Sequence, residues 1–436
     1  MPKSCSFVKK SENMYRNRII DSSITKKLRG KGAVVIEGPK WCGKTTTGEH
    51  LAKAMLYLSN PQEFQNVKQL ISVAPEKILD EAHPLLIDEW QLVPQIWDAI
   101  RFKIDHLEGY GHFILTGSAV PDKKAEEQIH HTGTGRFAWI TMRTMSLYES
   151  GESIGTVCLN DIFNAKKIFS SCKTNINTLC YLICRGGWPE AVDMDSDIAL
   201  EQAKDYYTAI YKSDMSRVDG VKRNPERIKK IMRSYARGQG SQMSIGKIVD
   251  DIKANDVETI NDDTVNDYIN ALKKIFVIED MPAWNPNLRS RTAIRTSDTR
   301  YFTDPSIATA ALGLGPNDLV RDLKTMGFLF ETLCIRDLRI YADALGGTVY
   351  HYRDKSNLEC DAVIHLEDGH YGLIEIKLGG EDDIEDGAKS LKKLCNNIDT
   401  EKMYAPSFLM VLIGIGKYAF QREDGVYVVP ISCLKP

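Results

Sequence analysis

Ala33-Val34-Val35-Ile36-Glu37-Gly38-Pro39-Lys40-Trp41-Cys42-Gly43-Lys44-Thr45 is the stretch on which the fold turns. The apolar run Ala33–Ile36 predicts a buried strand, and the residues from Thr46 to about Leu58 predict a helix. Between them stands G-x-x-x-x-G-K-[ST]. Strand, glycine-bearing loop and helix in that order is the setting of a phosphate-binding P-loop. The physics is local. Loop amides and the positive end of a helix attract a polyphosphate. Gly38 and Gly43 allow backbone paths that a Cβ would block. Gly38, Pro39, Lys40, Trp41, Cys42, Gly43, Lys44, Thr45 and Thr46 are therefore the candidate nucleotide-binding set. Lys44 is placed to reach the β- and γ-phosphates, and the Thr45 hydroxyl to meet Mg²⁺.

Two further apolar runs end in polar clusters. His83-Pro84-Leu85-Leu86-Ile87-Asp88-Glu89 has the Walker B pattern. Asp88 is the expected Mg²⁺ partner, and Glu89 the carboxylate that orients and polarises the attacking water. His112-Phe113-Ile114-Leu115-Thr116-Gly117-Ser118 offers Thr116 and Ser118 as sensors of phosphate or water. Gly133-Thr134-Gly135-Arg136-Phe137 then leads into a last strand, with Arg136 and Arg143 as candidates to offset transition-state charge. A hydroxyl or an arginine at such a strand end is also a common turn device. Three apolar strands ending in functional residues predict a parallel sheet covered by helices, with ligands at its carboxyl edge. Residues 13–29 predict a helix leading into it.

The bulk composition bounds the rest. A chain of 436 residues, 43% hydrophobic and 26% charged, is ordinary globular material,. At roughly 100–200 residues per domain, two to four domains are expected. A net charge of −3 makes no global case for nucleic acid, so any basic surface must be local,. The ten cysteines show no C-x-x-C pair, and Cys180 and Cys184 read as packing residues,. Met1-Pro2-Lys3-Ser4-Cys5-Ser6 does not read as a signal peptide, and the apolar run from Phe408 to Ile415 is too short to span a bilayer. A reduced cytoplasmic protein without a membrane partner is the expectation.

Past the first domain, 150–225 carries helical patterns and the turn Gly186-Gly187-Trp188-Pro189. It is similar to the small lid of many AAA-superfamily ATPases. Residues 225–283 predict three helices: one from Pro225 with Ile228, Ile231, Met232 and Tyr235; one capped by Ser244; and one capped by Asp263. A strand follows at Phe276-Val277-Ile278. That order suits a winged helix. Its presumptive recognition helix opens with carboxylates, so a packing or oligomerisation module competes with a DNA-binding one. Arg289, Arg291, Arg295 and Arg300 are a better local candidate for phosphate contacts, or a solvated loop.

The last third predicts a helix from Phe328 to about Tyr341, strands at Val349–Arg353, Cys360–Leu366 and Tyr371–Leu378, a helix near Asp386–Asn396 and a strand at Phe408–Ile413. This is the core order of PD-(D/E)xK nucleases, a restriction-endonuclease-like α/β fold. Asp361 opens the second strand. Glu375-Ile376-Lys377 lies on the third, and the period of two puts Glu375 and Lys377 on one face. Asp361, Glu375 and, from the first helix, Glu331 are candidate metal ligands, with Lys377 as a second possible catalytic group. Such a triplet also arises by chance, and such domains also serve as binding modules. Lys389, Lys392 and Lys393 face either a phosphate backbone or water.

With these residues quoted, nearly the whole chain resembles a widespread prokaryotic family of AAA-superfamily ATPases. The likeness rests on Ile36–Thr45, Leu86–Glu89, Leu115–Ser118, Gly135-Arg136 and Gly186–Pro189. It continues through Asp304-Pro305-Ser306, Phe330-Glu331, Arg336-Asp337-Leu338-Arg339, His351-Tyr352-Arg353 and Ile374–Lys377. It implies an ATP-binding core, a winged helix and a nuclease-like domain of unknown function. An obvious second-sensor arginine is missing from the lid. The expected division is 1–150 (P-loop ATPase core), 151–224 (helical lid), 225–285 (winged helix) and 286–436 (nuclease-like). Three functions compete: a Mg²⁺-dependent ATPase acting with nucleic acid, a metal-dependent nuclease switched by ATP, and a non-enzymatic ATP-gated binding module. Candidate partners are ATP, DNA or RNA, and further copies of the chain.

Overall fold

Five apolar segments of the first 150 residues pair side by side, every pair parallel: β1 (Ala33–Glu37), β2 (Ala54–Tyr57), β3 (Leu85–Asp88), β4 (Phe113–Gly117) and β5 (Phe137–Thr141), in the order β2-β3-β4-β1-β5. This computed structural model describes residues 15–118, 129, 131–255, 260–285 and 297–436. Arg289, Arg291 and Arg295, and the opening Met1–Ser6, lie outside the described residues. Helices cover both faces of the sheet, as parallel pairing requires. One face packs Val35, Ile87 and Leu115 with Trp97 and Ile100; the other packs Val34, Ile36, Leu86 and Ile114 with Ile24.

The P-loop helix is shorter than expected. It spans Lys44–Leu51, and Ala52 then turns extended with ψ 159°. Ala54–Tyr57 become β2 beside β3. Alanine, methionine and leucine favour helices in isolation, but an open sheet edge offers backbone partners and apolar cover that local propensity does not record.

Beyond Thr141 the chain builds a second, seven-stranded sheet. Its strands are β7 (Phe169–Ser171), β8 (Gly347–Arg353), β9 (Glu359–Leu366), β10 (Tyr371–Lys377), β11 (Phe408–Ile413), β12 (Tyr418–Gln421) and β13 (Tyr427–Pro430), ordered β7-β12-β13-β11-β10-β9-β8. The expected order of helix, three strands, helix and strand is present. The first helix runs Leu323–Ala344 and the second Glu381–Asn397. The outermost strand comes from the segment expected to be lid. In a further parallel pair, β6 (Val157–Cys158) holds β14 (Leu434–Lys435). The sheet thus crosses the boundary expected at 286.

The middle helices are Pro225–Arg237, Ile245–Asn255 and Asp262–Lys274. Asn261, not Asp263, caps the third, accepting from the Thr264 amide at 2.9 Å. Phe276–Ile278 is not a strand. Among the described residues the isolated antiparallel bridges Ile278↔Phe302 and Met281↔Thr299 form a minimal ribbon there, and a parallel bridge Ala283↔His351 ties its end to β8. One continuous apolar core runs from Leu147 through these helices and the buried Leu323–Ala344 helix to Leu434. The middle and the C-terminal third therefore share a core.

Candidate functional site

The P-loop leaves β1 at Glu37 and immediately takes a glycine-only path. Gly38 has φ +152°, and a Cβ there would lie 2.0 Å from the Met142 carbonyl oxygen. Gly43, with φ +99°, caps the helix Lys44–Leu51. Trp41 sits at φ 65°, a left-handed conformation that costs a side-chain residue energy,. The loop is thus bent into a cradle of main-chain groups at a helix N-terminus. Lys44, only 6% exposed, folds over it and donates to the carbonyls of Gly38 at 2.9 Å and Pro39 at 2.8 Å.

Parallel register places the other candidates level with this loop. Asp88 pairs with Thr116, and Glu37 with Gly117. Asp88 is buried and accepts from two hydroxyls through one oxygen: Thr45 Oγ1 at 2.7 Å and Thr116 Oγ1 at 2.6 Å. Glu89 follows at φ 55°, and Ser118 Oγ lies 3.0 and 3.1 Å from its two oxygens. The Gln91 side-chain amide also donates to Glu89. Oxygen donors of this kind suit a hard divalent cation, and Thr45 with Asp88 would hold one. Thr46 is exposed on the first helical turn.

Several neighbours carried no signal in the sequence. Arg18 is buried and braces the loop from behind. Its guanidinium donates to the carbonyls of Cys42 at 2.8 Å and Arg143 at 2.9 Å, and to Glu149 at 2.9 Å. Lys40 pairs with Asp214 at 2.6 Å, at the end of the π-helical turn Ile210–Asp214, and Trp41 lies 5.6 Å from the Tyr206 ring. Two loop residues therefore contact the helical segment that follows the core.

Arg136 is not part of this site in its own chain. It stands at the amino end of the sheet, where its carbonyl accepts from Ala33 at 3.2 Å, and its guanidinium pairs with Asp105 at 2.8 Å. The P-loop lies at the far end of β1, about 16 Å away at strand rise. Arg143 is at the correct end but is spent on Glu279 at 2.6 Å and Asp343 at 2.5 Å. Burial alone would raise the Glu279 carboxyl; Arg143 and Arg339 outweigh it and hold it at about 2.

A second cluster gathers on the seven-stranded sheet. Lys377 Nζ donates to Glu375 at 2.9 Å and stands 4.0 Å from Asp361. Asp361 also accepts from the Ile376 amide at 2.7 Å, and Ser390 reaches Glu375 at 3.2 Å. Glu331 accepts from the Tyr301 hydroxyl. Burial and the Asp361 charge push both Glu331 and Glu375 well above the usual carboxylate range. Burial would lower Lys377, but Asp361 and Glu375 raise it. Gly240, Ser241, Gln242, Tyr301 and His351 line a small cavity beside Glu331 and Asp361. The oxygens suit a hard cation, although the ammonium already lies between two of them; among the described residues no group of three or more His, Cys, Asp or Glu is arranged to hold a metal.

The basic residues expected to face nucleic acid are largely engaged. Arg300 pairs with Asp280 at 2.6 Å, and Lys392 pairs with Asp424 at 2.6 Å. Lys389 stands 3.5 Å from Glu385, while Lys393 is exposed. The described cysteines are all unbridged, and among the described residues no helix is long and apolar enough to cross a membrane.

The scattered motifs from Gly186 to Asp337 meet in one buried knot. Asp304 accepts from Thr144 at 2.7 Å, the Gly187 amide at 3.0 Å and Arg336 at 3.0 Å. The Trp188 indole donates to Ser306 at 2.9 Å. Arg336 also reaches Asp337 at 2.8 Å, and Asp337 accepts from the Leu147 amide at 2.9 Å. Burial would raise the Asp304 carboxyl, but Arg336 and these donors hold it low.

Residues 30–151 match the family described as AAA domain. Residues 176–318 and 326–434 match two families each described as a domain of unknown function, DUF8612 and DUF4143. The first of these spans most of both the expected lid and the expected winged helix. Two curated relatives, the uncharacterized protein Rv2008c of Mycobacterium tuberculosis (strain H37Rv) and the uncharacterized protein Mb2031c of Mycobacterium bovis, are each 20% identical over 435 residues, covering 98% of this chain and 85% of the relative. Among solved structures, the Walker-type ATPase PABY2304 of Pyrococcus abyssi is similar at 13% identity and a TM-score of 0.41, over 68% of this chain and 96% of that one. The first domain is an AAA-type P-loop domain.

Proposed function

We propose that this chain is a Mg²⁺-dependent ATPase whose nucleotide state is passed from the P-loop domain to the rest of the molecule. One observation carries the reading: Lys44, Thr45, Asp88, Thr116 and Glu89 converge at the level carboxyl ends of β1, β3 and β4. In this reading Lys44 and the loop amides grip the phosphates. Thr45 and Asp88 hold the metal, and Thr116 fixes the Asp88 carboxylate. Glu89 takes the proton of the attacking water. Mg²⁺, when bound, offsets charge on the phosphates. A role for Arg136 in the transition state would require a second copy of the chain. Lys44→Ala is expected to abolish ATP binding, and Glu89→Gln to keep binding and stop turnover. A Glu89→Gln protein with normal ATPase rate would refute the assignment.

Our reading keeps 1–150, 151–224, 225–285 and 286–436 as four segments of the chain, the last three packed on one shared core and so not independent units. Residues 225–285 supply three helices and a minimal ribbon, which suits a winged helix. The exposed Asp262 and Asp263 at the start of its third helix favour packing over DNA contact,. A second function is favoured by the meeting of Asp361, Glu375 and Lys377: metal-assisted phosphodiester hydrolysis on DNA or RNA. Incubating either nucleic acid with Mg²⁺ or Mn²⁺, with Glu375→Ala as control, tests it. Cleavage that survives the substitution, or no cleavage at all, removes it. An ATP-gated binding module remains if turnover is negligible while ATP raises thermal stability.

A further inference from the structure

Glu89, the base of the proposed hydrolysis, has a polar neighbour two residues on, Gln91. Trp90–Leu92 forms a single 3₁₀ turn directly after Glu89. That turn folds the Gln91 side chain back, so that its Nε2 donates to Glu89 Oε2. Its other amide atom, Oε1, is buried with no hydrogen-bond partner. The reverse orientation of the amide would set an oxygen against a carboxylate, so the donor must face Glu89.

The strand beneath is shaped for this side chain. Gly117 ends β4, and a Cβ there would lie 2.9 Å from Gln91 Oε1 and 3.3 Å from Trp90 Nε1. A side chain at 117 would push the carboxamide away. Ser118 meets Glu89 from the next position. Glu89 itself has a left-handed backbone, φ 55°, which orients its side chain at an energetic cost,. A strained residue gripped by two donors is a carboxylate held in one place. A buried acceptor left empty beside it is costly unless a ligand fills it.

We infer that Gln91 is the positioning residue for Glu89, and that its empty amide oxygen accepts the second O–H of the water that Glu89 activates. The inference rests on the ATPase reading. The water oxygen forms a bond to the γ-phosphorus as the bond from that phosphorus to the β–γ bridging oxygen breaks. One water proton goes to Glu89. The other stays on the oxygen, hydrogen-bonded to Gln91. ADP and phosphate leave. With two acceptors, the water's lone pair is directed rather than free to rotate.

The test is steady-state ATP hydrolysis by the full chain, with ATP affinity measured separately. Gln91→Met keeps the length and removes both polar atoms. Its kcat should fall about 10- to 100-fold, as expected of a misplaced base, with the ATP Kd within about twofold. Gln91→Glu restores a donor only when the carboxyl pair shares a proton. Its kcat relative to wild type should rise as pH falls from 8 to 6, a change that mere packing would not produce. Unchanged kcat in Gln91→Met, while Glu89→Gln abolishes turnover, overturns the positioning role alone. Parallel loss of kcat and ATP affinity, or a flat pH ratio for Gln91→Glu, overturns it too. No turnover by the wild type overturns both this inference and the reading beneath it.

Discussion

The Thr144 hydroxyl and the Asp304 carboxylate, 160 residues apart in sequence, meet at 2.7 Å in the buried interior. Thr144 lies just past the last strand of the P-loop sheet, and Asp304 caps the helix Pro305–Leu312 of the middle segment. Arg336, from the central helix of the C-terminal third, completes the contact. Three segments of the chain thus share one carboxylate.

Arg336→Met should destabilise the fold by about 3–5 kcal/mol, the range for stripping one partner from buried charges. Asp304 and Asp337 would lose their cation while remaining fully buried. Chemical denaturation of the two proteins side by side measures the difference. A loss below about 1 kcal/mol would show that the knot carries little of the stability.

Gly38→Ala should fail in two ways. The added methyl would meet the Met142 carbonyl at 2.0 Å, and the backbone there has φ +152°. Relief requires moving either the loop or the end of β5. A stability loss of about 1–3 kcal/mol and loss of ATP binding are expected together, read by thermal denaturation and nucleotide titration. Gly30→Ala is the control, at an exposed glycine with nothing near its Cβ and no left-handed backbone, and it should leave ATP binding intact.

Glu279 supplies a pH signature. Its carboxyl is held at about 2, below its ordinary 4.5, because Arg143 and Arg339 outweigh burial. A carboxyl depressed in the folded state stabilises it above the unfolded value, and that contribution is lost as pH falls from about 4.5 to 2. Glu279→Gln should therefore be less stable than wild type at pH 7 by about 3 kcal/mol, with the gap closing through that acid window. Stability measured by denaturant from pH 7 down to 3 follows it. A gap independent of pH would refute the assigned pairing.

Asp214→Asn should tighten ATP binding. Lys40 sits in the phosphate loop yet pairs with Asp214 at 2.6 Å. Phosphates must compete with that carboxylate for the ammonium. Asp214 is buried while Lys40 is part-exposed, so solvent screens only one side of the pair; about a two- to fivefold fall in Kd is expected, shrinking at high salt. Isothermal titration at two salt concentrations distinguishes this from a shape effect.

Much of the P-loop site was legible because its logic is local. Gly38, Gly43 and Lys44 need their own neighbours only, and strand period puts Asp88 and Thr116 at strand ends. The nuclease-like order was equally readable, and strand period two brought Glu375 and Lys377 together. Local pattern misled at Ala54–Tyr57, which read as helix until β3 paired with it. It also misled at Arg136, whose glycine turn looked like a site and lies at the wrong end of the sheet.

By itself, the amino-acid sequence determined the phosphate cradle, the parallel sheet beneath it and the residue types at its carboxyl edge. Those follow from steric limits and side-chain period acting over a few residues. Only the tertiary structure decided that Arg18 braces the loop from Glu149, that β7 joins the C-terminal sheet and that Asp304 ties three segments together. The reason is physical. What a charge or amide does is set by the partner it meets when buried, and a partner more than a hundred residues away leaves no period in the chain.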